Sequence, residues 1–400
     1  MIPREERLKL IRSIEQKRAS KVICYVTSDR PNLQASIDGE VISVIHDHIL
    51  SFTPDERNKI DLLLYSRGGQ SHVPWVLVSM IREYCKKGSF SVLIPYRAHS
   101  AATVISLGAD EIVMTRKAEL GPIDSTISQG PYNPKDHETH QRLPLSVEDV
   151  NGYFNLLTRI GCERPEEKLQ GFAELTKHVH PLALGSANRE LQQTELVAIK
   201  LLNTRADPFG EETNRRIAQN LSSEIFSHLH AISRSEAREL GLKHVKDAED
   251  FQIDGELWDL YDAYKSIFQF ETPFTPEADL ISTGRPEETW ENIKTAVVES
   301  DKICHFYENT LKLRQLRKVP PQVTINISNL SLPPINVGNL PGGIDANQIA
   351  GIVANAVQSQ LQFVVRLASE RAVESFIAAL PNAGFERMSL GNGWKENKLS

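Results

Sequence analysis

Asp61-Leu62-Leu63-Leu64-Tyr65-Ser66-Arg67-Gly68-Gly69 and Ser91-Val92-Leu93-Ile94-Pro95-Tyr96-Arg97-Ala98-His99-Ser100 decide how this chain is read. Each begins as a short apolar run and ends in a polar turn. A helical pattern lies between them, from about Val73 through Arg82. The small-residue helix Ala101–Leu107 and a further run, Glu111-Ile112-Val113-Met114, come after the second. Strands alternating with helices at this spacing predict a parallel sheet covered by helices. Both turns then lie at one end of that sheet. One offers glycine N–H groups and the other a serine hydroxyl at a helix N-terminus. A nucleophile plus donors for an oxyanion is the minimum equipment for acyl transfer.

Each piece also has a plainer reading. A glycine pair after a strand marks a turn more often than an active site. A serine before a helix is more commonly an N-cap. As a catalytic element, Ser100 would gain from the positive helix end, and the Ala101 N–H would be a second oxyanion donor. A serine needs a base. His99 is adjacent, and neighbouring side chains usually diverge. Asp124, in Leu120-Gly121-Pro122-Ile123-Asp124, belongs to a turn that returns towards Ser100; its plainer role is an Asx turn. His228 and His230 precede the segment Ile232–Leu242, and histidine is the usual general base near neutral pH. His137, His140, His178 and His180 are further candidates. His178 and His180 have no third ligand at suitable spacing, so no metal site is expected.

Bulk composition fits a soluble globular protein, with 40% hydrophobic and 24% charged residues. The net charge of −7 does not favour nucleic acid or an anionic membrane. The four cysteines, Cys24, Cys85, Cys162 and Cys304, form no C-x-x-C pair and read as free thiols in a reducing compartment. The charged N-terminus lacks the apolar core of a secretory signal, and no run of about 18 apolar residues would span a bilayer. A cytoplasmic protein is expected. No G-x-G-x-x-G follows a strand, so no nicotinamide site is expected. No cofactor is implied.

Outward from the deciding stretch, Pro3–Ala19, Val41–Leu50, Ser146–Ile160, Pro165–Thr176, Ser186–Leu202, Glu211–Asn220 and Glu256–Phe270 read as helices. Ser146 and Ser233 are N-cap signals. Composition shifts near Thr272-Pro273-Phe274-Thr275-Pro276. This gives a first domain over 1–275, a long helix within 276–318 (Glu287–Arg317), a Pro/Asn/Gly-rich arm over 319–345, and a helical segment over 346–400 ending in a disordered tail from Met388.

Four ordered motifs together resemble the serine dehydrogenase proteinase family. They are Leu64–Gly69, Pro95–Thr103, Gly108–Met114 and Leu120–Asp124, with later segments from His180 and His228 also similar. These are Clp-fold serine peptidases related to signal peptide peptidase A and the Clp protease, and the resemblance covers roughly residues 4–270. It implies an α/β fold, a Clp/crotonase-like spiral of ββα units, here with a C-terminal helical extension. It also implies Ser100 as nucleophile and the N–H groups of Gly68, Gly69 and Ala101 as oxyanion hole. In the Clp protease a histidine follows the serine by about one strand, where this chain has Asp124. The Clp acid falls close to His228–His230. The reading is therefore an exchange of roles: Ser100, His228 as base, Asp124 to orient it. Signal peptide peptidases use a lysine, and Ser146–Tyr153 contains none; Lys117, in a charged turn, and His230 stay open as bases. A serine endopeptidase acting on polypeptides as a homo-oligomer is expected. A catalytically impaired scaffold of the same fold, or a crotonase-type acyl-CoA enzyme, are the alternatives. The sequence leaves an ATPase partner open.

Overall fold

The computed structural model describes residues 3–397 apart from 86, 124–125, 128–129, 137, 139–140, 225–229, 317–344 and 380–383. The chain forms two compact units. One contains 1–275, 291–310 and 391–400, and the other 276–290 and 311–390.

The strands that matter in the first unit are β1 (Lys21–Thr27), β2 (Ile60–Tyr65), β3 (Phe90–Ile94), β4 (Arg97–Ala98), β5 (Glu111–Met114), β6 (Glu119–Leu120), β7 (Ile232–Ser233) and β8 (Val245–Asp247). Then follow β9 (Glu287–Glu299), β10 (Cys304–Gln315) and β11 (Phe385–Glu396), whose residues are divided between the units. The main sheet has the order β8-β5-β3-β2-β1-β9-β10-β11. It is parallel from β8 to β1, and β9 joins β1 antiparallel. A small second sheet has the order β7-β6-β4.

Strand composition explains the layering. β2 is buried at every position, as a strand covered on both faces must be. Its alternate residues Ile60, Leu62 and Leu64 join one core cluster with α2 (Val41–Ser51), α3 (Val73–Tyr84) and α4 (Ala101–Leu107). Leu63 and Tyr65 join another with α1 (Arg4–Arg18) and the helix Asp254–Phe268. After β2, Ser66 bridges to Ala98 of the small sheet before α3 begins; β3 leads to β4 and α4, and β5 leads to β6. This repeated ββα winding is the Clp/crotonase-like spiral.

Asp61 is fully buried in β2, and it is paired. Arg18, at the end of α1, donates from Nε to Asp61 (2.9 Å) and from Nη2 to Ser91 (3.0 Å) and Glu111 (2.9 Å). Those three acceptors are register partners on β2, β3 and β5.

Local signals account for the helix ends. Ser146 caps the helix Val147–Arg159, accepting from the Glu148 N–H at 3.0 Å. Ser233 caps Arg234–Glu239 in the same manner. The helix expected from Ser186 starts earlier, at Pro181, because His180 is its N-cap, accepting from Leu182 N–H.

Three expectations are corrected in the C-terminal third. Glu287–Arg317 is not a long helix; it holds β9 and β10. Its Glu- and Lys-rich composition favours helix, but Ala296-Val297-Val298-Glu299 pairs with Thr27-Val26-Tyr25-Cys24 of β1, and this long-range burial overrides local preference. The tail from Met388 is strand as far as Glu396. The C-terminal extension therefore mixes strands with its helix, Ala346–Ala379. The arm expected over 319–345 lies outside the described residues except for Asp345. In the second unit, Glu287 accepts from Lys312 and Arg314, and Glu277 from Arg387.

One buried group makes acid stability testable. His48 is fully buried; its Nδ1 lies 2.9 Å from Ser300 Oγ and its Nε2 3.1 Å from His305 Nδ1. Burial, then His305 and Arg4, push its pKa down to about 3. The unfolded chain takes up this proton near pH 6.5 and the folded chain does not. Stability is complete above that value and falls by up to about 1.4 kcal/mol per pH unit below it, until His48 protonates in place near pH 3. Urea titrations at stepped pH are expected to show a shallower acid slope in His48→Gln than in the parent chain.

Candidate active site

β2 and β3 end side by side, and the chain turns twice at that end. After β2, Ser66 forms a parallel bridge with Ala98. Ser66 N–H donates to Arg97 C=O (3.1 Å), and His99 N–H donates to Ser66 C=O (3.0 Å). Gly68 then takes φ +112°. A Cβ built there would stand 2.7 Å from Ser100 Cβ and 3.1 Å from Ser100 Oγ. Only glycine permits this contact, on grounds of both space and backbone angle. The two turns picked out in the sequence therefore converge.

Gly69 is equally confined, on its other side. A Cβ would lie 2.1 Å from the Ile37 carbonyl oxygen. Ile37 takes hydrogen bonds from the flanking residues: its N–H goes to Gly68 C=O (2.8 Å) and its C=O accepts from Gln70 N–H (3.0 Å). In a parallel bridge of this kind Gly69's own N–H points away from Ile37. Gly68 N–H, by contrast, donates to Ser66 Oγ at 3.1 Å. Gly69, rather than Gly68, keeps an amide free for a ligand among the described residues.

Ser100 stands at the N-cap position of α4, yet its side chain makes no cap hydrogen bond. Its backbone has φ 51° and ψ −117°. A non-glycine residue in such a sparsely populated region costs of order 1–3 kcal/mol and persists only where the surroundings enforce it. A sharp strand-to-helix elbow of this kind lifts a side chain out of the sheet. Ala101, first in α4 and buried, has an N–H without an intrahelical partner.

The turn after β6 is fastened to the same helix. Thr103 Oγ1 lies 2.7 Å from Ala98 C=O and 2.8 Å from Gly121 C=O. Gly121 N–H donates to Ala98 C=O at 3.1 Å. Gly121-Pro122-Ile123 therefore runs beside the Ser100 elbow. Asp124 and His228 themselves, like His137 and His140, lie outside the described residues. β7 pairs antiparallel with β6, Ile232 against Leu120 and Ser233 against Glu119.

The other candidate bases are engaged elsewhere. His230 is exposed, with Nε2 2.7 Å from Glu236. Lys117 is exposed, its ammonium 4.0 Å from the Trp258 ring centroid. His99 turns to Glu119, Nε2 to Oε1 3.1 Å. Burial is the main cause that lowers its pKa, Glu119 opposes the shift, and Arg67 and Arg97 add to it. Among the described residues no group of three or more His, Cys, Asp or Glu side chains is disposed to hold a metal ion, and no helix is long and apolar enough to cross a membrane.

Sequence reasoning missed Ser66 and Thr103. Both are polar residues flanking small-residue turns, and that pattern was their available signal.

Residues 2–149 match the family model of ClpP-like SDH-type serine proteinases. Two uncharacterized proteins of Methanocaldococcus jannaschii are similar to the chain. One is 25% identical over 243 residues, covering 60% of this chain and 71% of its own length. The other is 24% identical over 264 residues, covering 65% and 78%. Among solved structures, a membrane-bound stomatin-specific protease aligns at 16% identity with a TM-score of 0.31, over 58% of this chain and 82% of its own. A structure of that protease with a substrate peptide gives 16% and 0.32 over 57% and 77%. ClpP1 from Listeria monocytogenes aligns at 13% identity and 0.31, over 60% and 98%.

The Ser100 elbow makes a direct stability prediction. Gly68→Ala puts a methyl group against Ser100 at a backbone angle that alanine resists, and is expected to cost about 1–3 kcal/mol. Gly152→Ala, with open space around it, is the matched control and should leave stability unchanged or raise it by up to about 1 kcal/mol. Thermal denaturation of the two variants side by side measures the difference.

Proposed function

We propose that the chain is a serine endopeptidase that cleaves polypeptides through an acyl-enzyme on Ser100. The observation that carries this is the elbow itself: a serine with a strained backbone, no capping bond, and the Gly68-Gly69 turn packed against it. A serine serving only as an N-cap would show the capping bond and ordinary angles.

In the proposed reaction Ser100 Oγ attacks the scissile carbonyl, and its proton passes to a general base. The developing oxyanion is received by the N–H groups of Gly69 and Ala101. Collapse of the tetrahedral adduct breaks the C–N bond, and the leaving amine takes the proton from the base. Water, activated by the same base, then releases the acyl group and restores the serine. His228 is proposed as that base and Asp124 as the residue that orients it. The Gly121–Ile123 turn beside the elbow and the antiparallel return into β7 support this choice.

The active form is proposed to be a homo-oligomer. Leu156, Leu169 and Phe172 expose 55%, 69% and 41% of their surface on two helices next to each other in sequence, and exposed apolar side chains grouped together mark interaction surfaces.

A fluorophosphonate probe tests the mechanism, since it bonds to an activated serine with loss of fluoride. The parent chain is expected to label once, at Ser100, and Ser100→Ala not at all. His228→Ala is expected to slow labelling about 10³-fold or more. Labelling of His228→Ala at the parent rate would remove that residue from the mechanism. A parent chain that never labels would favour the scaffold reading.

A further inference from the structure

The elbow has a second tie, made by side chains. His99, immediately before Ser100, holds Glu119 Oε1 from Nε2 at 3.1 Å. The same oxygen accepts from Arg97 Nε at 2.8 Å. Arg97 reaches on to Asp29 Oδ2, 3.6 Å from its Nη1. Asp29 Oδ2 also accepts from Tyr65 OH at 2.9 Å, and Asp29 Oδ1 accepts from Arg67 Nε at 2.6 Å. Arg67 immediately precedes Gly68. One continuous line of ion pairs and hydrogen bonds thus runs from the residue before the glycine turn to the residue before the serine.

Packing fixes the line at its inner end. A Cβ at Gly121 would lie 2.8 Å from His99 Cγ, so the imidazole sits directly on the Gly121 backbone. Its own backbone is held at both ends, by Ser66 C=O and by Ala102 N–H. His99 is therefore clamped at its N–H, its C=O and its ring, and Ser100 is the next residue.

A purely stabilising role explains this poorly. Arg67 is 45% exposed, and exposed pairs of that kind contribute little to folding. Oxyanion chemistry, in contrast, depends on donors and nucleophile keeping a fixed separation, and a displacement of about 1 Å can cost on the order of 100-fold in rate. The strained angles at Ser100 also need neighbours that enforce them.

We propose that Arg67-Asp29-Arg97-Glu119-His99 is a positioning strap that fixes the distance between the Gly68-Gly69 turn and Ser100, with His99 as its terminal positioning residue. This rests on the reading of Ser100 as nucleophile. His99 needs only to donate from its Nε2 position, and it transfers no proton in the reaction. A glutamine side chain carries an N–H at nearly the same reach; asparagine carries it one bond short, and leucine lacks it.

The test is the rate of fluorophosphonate labelling at Ser100 in the full chain, separated into probe affinity and maximal rate, for His99→Gln, His99→Asn and His99→Leu, with thermal melts to establish folding. Gln is expected to retain the maximal rate within about threefold. Asn and Leu are expected to lose about 10- to 100-fold with probe affinity unchanged. Asp29→Asn, at the far end of the strap, should lower the same rate, and its effect should not add to that of His99→Leu. A Leu variant as fast as the parent overturns the strap alone. A Gln variant as slow as Leu also overturns it, because His99 would then be exchanging protons. Full additivity of Asp29→Asn and His99→Leu breaks the line into unrelated pairs and overturns it too. A parent chain that does not label overturns both this inference and the Ser100 reading.

Discussion

The absence of a side chain at residue 68 is the constraint on which the site depends. Two turns from different strands meet there at a separation that a single methyl group would forbid. Ser66 can then satisfy the Gly68 amide, Ile37 can clasp both sides of Gly69, and the Gly69 amide is left facing away from Ile37. The serine elbow opposite is strained, and it is enforced by bonds from Ser66 and Ala102 to residue 99. The local geometry is one of mutual confinement, since neither turn would hold its shape without the other.

Such confinement requires rigid ground beneath it. The strands that deliver the turns are buried on both faces, with helices packed above and below. Their ends are pinned again in the small sheet, where β4 and β6 lie parallel and β7 closes the edge. Thr103 links that small sheet to the helix that starts at Ser100. The arrangement sets the Ser100 hydroxyl and the Gly69 amide on well-packed backbone, the rigidity that preorganised hydrogen-bond donors need.

Much of this was legible in the residues. The apolar runs at 61–65 and 91–94, the turn glycines and the caps at Ser146 and Ser233 act locally, and the sequence shows them directly. Ser100 was only half legible: its position before a helix was plain, but its usual role there is a cap. The left-handed backbone that decides against a cap comes from Gly68 and Ser66, which lie more than thirty residues earlier. The strands over 287–315 were hidden for a related reason. Charged residues there resemble an exposed helix, and what makes Ala296–Glu299 a strand is the edge of β1, far away in sequence. The line from Arg67 to His99 was illegible as well, because it joins five residues drawn from four separate turns and strands.

Arg18 has a consequence for how the sheet is put together. Its guanidinium reads Asp61, Ser91 and Glu111 at once, one from each of three neighbouring strands. Sliding any one of those strands by a single residue would turn that polar group to the opposite face and leave a buried charge unanswered. The first helix therefore acts as a proofreader: it can seat fully only on strands already in the alignment that sets the two turns level with each other.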